Sequence, residues 1–377
     1  MVIRRHPTDF VVTEVLTPEA SASIAELPGP GRVYAVYLLE KESLSTPEAT
    51  RRLAAEIGVG AGEVSWAGLK DKHAVTTQHV TVPVRRDPMA TRRRVEAQGL
   101  RATLVGWSFS EAEASWVLRN RFVIVVRGVA REDAARMVST IEERQRASGG
   151  SSILVLNAFG EQRFGSARHG RGFAARSLVE GRFEDALRLL IATPARKETG
   201  TRRTSSRVLA EKWGRWVEAI EALPRGAERR AIEVLARGGN FREAFESLPH
   251  LTKQMCVESY QSYLWNRIVE RVAGAASVRE LEGLSIDLPG PEATYTERIP
   301  AIAREVLDAD GLTLEGLRIP GVRRPVFGSP ARPVVVRAES IVVSEPEPDE
   351  ANRWRVTLGF ELPRGAYATV LLRSLEA

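Results

Sequence analysis

The chain has 377 residues and a mass of 41.5 kDa, with 54 lysines and arginines against 48 acids, a net charge of +6 and 43% hydrophobic residues. That length exceeds what one core usually takes and points to about two domains, while the composition is ordinary globular usage. No apolar run approaches the roughly 20 residues of a membrane span, and the one cysteine, Cys256, excludes an intrachain disulfide.

From the start, "MVIRRHPTDFVVTEV" has no apolar signal region and enters strand-like sequence at once, so the cytoplasm is the expected location. "DFVVTEV" (9–15) and "RVYAVYLLEK" (32–41) are rich in β-branched and aromatic residues and read as strands. Thr46-Pro47-Glu48 supplies a cap, a first-turn proline and an acid, so a helix is expected from there to Gly58. "EVSWA" and "QHVTVPV" read as short strands on either side of "GLKDKHA". "RFVIVVRGV" (121–129) suits a strand buried on both faces, and "REDAARMVSTIEERQRAS" an amphipathic helix closed by Gly149 and Gly150. From about Arg171 to Val272 the pattern is helical almost throughout. Strands are expected again in "RPVVVRAESIVV", "WRVTLGFELP" and "AYATVLLRSL". Strands, then helices, then strands read as an α+β fold with a helical insertion, the last strands rejoining the first sheet.

The five histidines, His6, His73, His79, His169 and His250, have no i, i+4 pair, and there is no Cys-x-x-Cys. Neither a zinc site nor any other protein-bound metal is expected. "GVGAGE" (58–63) leads into a strand rather than a helix and lacks the lysine of a phosphate loop, and no Gly-x-Ser-x-Gly occurs. The positive charge is unevenly spread. "RFGSARHGRGFAARSLV" (163–179) holds four arginines and no acid, and residues 85–101 hold six arginines and two acids. Such stretches suit phosphate contacts.

Three segments combine unusual residue types. In the first, Asp71 lies between Lys70 and Lys72. A surface ion pair needs no such setting, whereas a catalytic carboxylate that stays ionised beside a polyanion does. If the segment is extended, Lys70 and Lys72 point away from the side that Asp71 faces, toward solvent or toward the polyanion beside the site. The second, "NAFGEQRFG" (157–165), packs an amide, two phenylalanines, two glycines and an arginine into nine residues. That mix suits an unstacked base: a ring to stack on, an amide for its edge, an arginine for phosphate. The third is "LPRGAYATVLLR" (362–373).

"WAGLKDKHAVTTQ" and "NAFGEQRFG" resemble the two signature segments of the TruD family of tRNA pseudouridine synthases. "HPTDFVVTE", "SYLWNRIVERV" and "LPRGAYATVLLR" resemble its further stretches, in the same order, and the likeness is weakest from about 182 to 251. The resemblance implies a pseudouridine-synthase catalytic domain on a mixed, mainly antiparallel sheet, here residues 1–180 plus 335–377. A mostly helical insertion domain, 181–334, would form the second wall of an RNA cleft. It implies isomerisation of uridine to pseudouridine in tRNA, at position 13 of the D arm, by a monomer without cofactor, metal or membrane.

Carried over by position, the nucleophile falls on Asp71, acting as nucleophile or base by a covalent adduct at the sugar or by a glycal route, and its basic partner falls on Arg4, often lysine in the family. Substrate contacts fall on Phe10, Asn157, Phe159 and Tyr367. Phe159 is the base-stacking aromatic, and Tyr367 stands where phenylalanine is common. "NAF" replaces the usual "NYF". RNA-backbone contacts are expected from Lys70, Lys72, Arg163, Arg168 and Arg171. The rival readings are a non-catalytic RNA-binding or RNA-folding protein on the same scaffold and, more weakly, a nucleoside hydrolase.

Overall fold

A computed structural model of the chain describes residues 2–84, 92–167, 171–194 and 200–375. The chain divides into two compact units, Met1–Val155 with Val336–Ala377, and Leu156–Val335. Residues 156–180, which the sequence reading places with the first domain, lie in the second unit.

The strands are β1 (Phe10–Leu16), β2 (Tyr34–Glu42), β3 (Ser65–Trp66), β4 (Val75–Pro83), β5 (Arg94–Ala97), β6 (Leu100–Ser108), β7 (Val117–Val129), β8 (Ile153–Leu156), β9 (Ser285–Asp287), β10 (Ala331–Pro333), β11 (Val335–Val343), β12 (Glu347–Pro348) and β13 (Trp354–Pro363). One large sheet runs β5-β6-β2-β4-β1-β7-β13-β11-β8, with β3 on β4 and β12 on β13. β9 and β10 form a separate pair in the second unit. β1 and β4 are parallel, Val11 opposite Val75 and Thr13 opposite Thr77. The other described pairings are antiparallel, so the sheet is mixed and mainly antiparallel, as expected.

That one parallel pair positions the site. Parallel strands begin at the same end, so the segments before β1 and before β4 emerge side by side. β2 is antiparallel to β4 and ends there too, with Lys41 opposite Thr76. The segment before β1 is tied down although it lacks regular strand structure. Val2 exchanges two main-chain hydrogen bonds with Arg127 (3.0 and 2.8 Å). Buried Asp9 accepts from Arg127 Nε and from the His6 N–H, both at 2.9 Å.

The helix 46–57 begins at a serine cap, Ser45, and ends at Gly58, whose φ of +84° is the left-handed conformation that glycine adopts without penalty. Its Leu53 packs with Tyr37, Leu39, Val80 and Trp107 in one core cluster. A second cluster holds Phe10, Val12, Phe122, Ile124, Leu358 and Phe360, with Met137 and Ile141 of the helix Arg131–Ala147.

Two expectations are corrected. β7 is not buried on both faces: Phe122, Ile124 and Val126 are buried, but Val123 is 41% exposed. Its continuous apolar run hides the alternation of a one-sided strand. "AYATVLLRSL" is not a strand either; Ala368–Ser374 is a helix. Gly365 turns the chain at φ +82°, and Ala368, Leu371, Leu372 and Leu375 then bury one helical face in the second cluster.

The second unit is mostly helical, as expected. Its long helix His250–Ala273 buries Tyr260, Leu264, Trp265 and Ile268. No helix among the described residues is long and apolar enough to cross a membrane.

Phe122 lies edge-on to Phe10 (centroids 6.2 Å apart) and stacks on Phe360 at 5.3 Å. Phe122→Ala leaves a cavity beneath Phe10 and is expected to cost about 3–5 kcal/mol. Urea unfolding of the two proteins measures the difference.

Candidate active site

Residues 67–74 connect β3 to β4 and carry Asp71. Lys70 N–H donates to Thr46 Oγ1 (3.0 Å), Thr46 in turn donates to Gln78 Oε1 (3.0 Å), and Gln78 Nε2 donates to the Gly68 carbonyl (3.4 Å). Thr46 and Gln78 are fully buried. Lys41, 1% exposed, donates to the carbonyls of Leu44 (2.7 Å) and of Asp71 itself (2.8 Å). The main chain on both sides of the carboxylate is therefore pinned from below.

The carboxylate of Asp71, with 20% of its side chain exposed, is held at both oxygens. Oδ1 accepts from the His73 N–H at 3.0 Å, an Asx-turn contact. Oδ2 lies 2.7 Å from Arg4 Nη2. The guanidinium of Arg4 also stands over the ring of Phe10, 4.3 Å from its centroid. Phe10 is buried as the first residue of β1, so it props the cation rather than presenting an open face. Arg4, Phe10 and Asp71, three of the residues singled out in the sequence, are thus brought together.

Lys70 is a correction. It points away from the Asp71 side, but inward. Its side chain is 9% exposed and its ammonium sits 2.5 Å from Glu14 Oε1, whose own side chain is fully buried. Glu14 Oε2 accepts from the His79 N–H at 2.9 Å. Burial pushes the Glu14 carboxyl up, but the interactions with His79 and Lys70 outweigh it and leave the group below the usual carboxylate value. Lys70 is a buried structural cation and is not placed to meet an RNA backbone. Lys72 is exposed, with Nζ 3.7 Å from Glu48.

Asn157 and Phe159 lie together in the second unit, around a residue the sequence reading missed. Arg332 donates to the Asn157 carbonyl from Nε (3.0 Å) and Nη2 (2.7 Å), and to Asn157 Oδ1 (2.7 Å). Its guanidinium covers the Phe159 ring at 4.0 Å. Asn157 Nδ2 donates to the Pro333 carbonyl. Asn266 brackets Phe159, accepting from its N–H (2.8 Å) and donating to its carbonyl (2.9 Å). Trp265 meets the ring edge-on at 5.5 Å. Phe159 is 8% exposed. The amide and the ring expected to meet a base are, in this conformation, engaged by protein.

Arg163 pairs with Glu258 at 2.6 Å and is partly exposed, and Arg171 is exposed. Arg168 lies outside the described residues. Tyr367, half-buried, follows β13 and the turn at Gly365 and stands at the start of the helix Ala368–Ser374.

Comparison with known proteins places this arrangement. The family model described as tRNA pseudouridine synthase D (TruD) matches residues 1–284 and 279–375. A tRNA pseudouridine synthase D of Aquifex aeolicus is 28% identical over 99% of this chain and 97% of its own length. A Methanopyrus kandleri protein, provisionally given the same name, is 32% identical over 91% of this chain and 85% of its own. The crystal structure of a Methanosarcina mazei candidate tRNA pseudouridine synthase D superposes with a TM-score of 0.70 at 25% identity, covering 99% of this chain and 93% of that one. The class these matches define is that of the pseudouridine synthases, which are isomerases. The chain belongs to the tRNA pseudouridine synthase D (TruD) family.

Two predictions follow from the loop's supports. Lys70→Ala strands a buried carboxylate, so it is expected to lose about 3–5 kcal/mol of stability, read by urea unfolding, while RNA affinity changes little. Lys41 gives a pH signature. Burial pulls its ammonium down to about 8, Lys70 adds to that, and Asp71 opposes it. Between pH 8 and the unfolded value near 10.5 the unfolded chain binds more protons than the folded one, so stability from this group rises with pH. Relative to Lys41→Met, which has nothing to titrate there, the wild type is expected to gain up to about 1.4 kcal/mol per pH unit in that window. Paired denaturation curves at pH 7.5 to 10 check the sign.

Proposed function

We propose that this enzyme isomerises uridine to pseudouridine in tRNA, at position 13 of the D arm, with Asp71 as the nucleophile and the target base turned out of its stack. The observation that carries the reading is the carboxylate of Asp71 held between Arg4 and the His73 N–H on a loop whose main chain is anchored by buried side chains. Fixed geometry at a reacting group lowers the entropy lost on reaching the transition state.

In the reaction Asp71 attacks C1′ of the ribose and the C1′–N1 bond breaks, its electrons leaving with the uracil. The freed ring turns, C5 bonds to C1′, and the carboxylate departs with the electrons of its ester bond. The C5 proton is lost and N1 gains one, so product and substrate are isomers and no redox partner is consumed. Arg4 serves as counter-ion to the carboxylate in its free form, at the start and at the end.

Turning the base out costs a few kcal/mol. Stacking on an aromatic offsets roughly 1–3 kcal/mol of it, and Phe159 takes that part if Arg332 yields the ring face as the base enters. Asn157 and Tyr367 complete the substrate contacts, and Lys72, Arg163, Arg168 and Arg171 meet phosphate. A non-catalytic RNA binder gains nothing from an anchored anion in its RNA site, since a carboxylate repels phosphate.

The test is incubation with total tRNA lacking this modification, followed by chemical mapping of pseudouridine. Wild-type protein is expected to modify one D-arm uridine. Asp71→Asn is expected to lower turnover by roughly a thousandfold or more, with tRNA affinity unchanged or higher. Turnover by the variant within tenfold of wild type removes Asp71 from the mechanism.

A further inference from the structure

Between the pinned Gly68 carbonyl and the pinned Lys70 N–H lies Leu69, which is 61% exposed. Lys70 sends its side chain inward to Glu14. Its two neighbours in sequence both reach solvent, Leu69 widely and Asp71 with 20% of its side chain. A single leucine on a protein surface is ordinary. This one stands two residues from the carboxylate, on main chain held from both sides.

We propose that Leu69 is a wedge. When the target uridine turns out to reach Asp71, the leucine side chain enters the vacated place and packs between the two bases that flanked it. The proposal rests on the reading of Asp71 as the site of uridine isomerisation. An extruded base leaves two flat apolar faces in contact with water, and compact apolar side chains fill such gaps between base steps. Leucine offers no donor or acceptor to a base edge, so the wedge favours extrusion without reading sequence. Because the loop is already held in place, little further ordering is needed when RNA binds. The occupant is thus the interrupted stack of the enzyme's own RNA substrate.

The test compares single-turnover rates of wild type, Leu69→Ala and Leu69→Met on two RNAs. One is the folded tRNA lacking pseudouridine. The other is the same tRNA with an abasic nucleotide next to the target uridine, where the stack is already broken. Leu69→Ala is expected to lose roughly tenfold or more on the intact tRNA and at least fivefold less on the abasic one, with Leu69→Met restoring most of the rate. Losses that differ by less than fivefold between the two RNAs overturn the wedge. Should the abasic tRNA be a poor substrate for the wild type, 2-aminopurine beside the uridine reports extrusion directly in the Asp71→Asn background. Leu69→Ala is then expected to halve the fluorescence rise on binding, and an equal rise overturns the proposal. The underlying reading fails differently: wild-type protein then isomerises no uridine in intact tRNA.

Discussion

The parallel pairing of β1 with β4 decides what else meets at this end of the sheet. In an otherwise antiparallel neighbourhood, adjacent strands begin at opposite ends, and the segments before them part company. Here the segment before β1 brings Arg4, the segment before β4 brings Asp71, and the antiparallel β2 delivers Lys41 as it finishes. Three residues separated by 30 positions or more along the chain reach one place because of a single choice of strand direction.

Two carboxylates and three cations then sort themselves by depth. Glu14 and Lys70 form the deep pair, with both charges removed from solvent and extra hydrogen bonds on the acid. Asp71 and Arg4 form the shallow pair, with enough exposure for a substrate to approach. Lys41 holds neither acid directly through the bonds described; it holds main-chain carbonyls. The deep pair anchors the loop, and the shallow pair lies nearer the surface. Were Lys70 turned outward, Glu14 would lie buried without its cation, a far less stable arrangement.

Much of this was legible in local sequence. The strands on either side of the Lys-Asp-Lys segment and the helix near Thr46–Gly58 depend on neighbours a few residues away and agree with the structure, except that the cap is Ser45 rather than Thr46. Arg4 was found by positional likeness, and its ion pair with Asp71 is present. What stayed hidden depends on distant partners. Alternation says that Lys70 faces away from Asp71, but not whether protein or water waits there; Glu14, 56 residues away, decides that. Arg332 binds Asn157 across 175 residues, and no local pattern joins them. Lys41 ends the stretch 32–41, which reads as a strand without showing which partners its last residue meets. For 368–374 the apolar residues fit either period, and packing against the helix-bearing face of the sheet chose the helix.

The chain leaves the sheet between β8 and β11, which are neighbours in it although Leu156 and Val335 are 179 positions apart. Just beyond, Asn157 N–H bonds to the Val334 carbonyl, so the chain leaves and re-enters through closely spaced points. This bears on the order of folding. Pairing β13 with β7 joins residues such as Arg121 and Glu361, 240 positions apart, and closing so long a flexible loop is entropically costly and slow. Once 156–335 has collapsed into its own compact unit, the flexible length left to close is only what lies outside it. A compact insertion thus shortens the flexible length between the first strands and the last, and a chain synthesised from its N-terminus completes the sheet only after residues 335–363 have followed that unit.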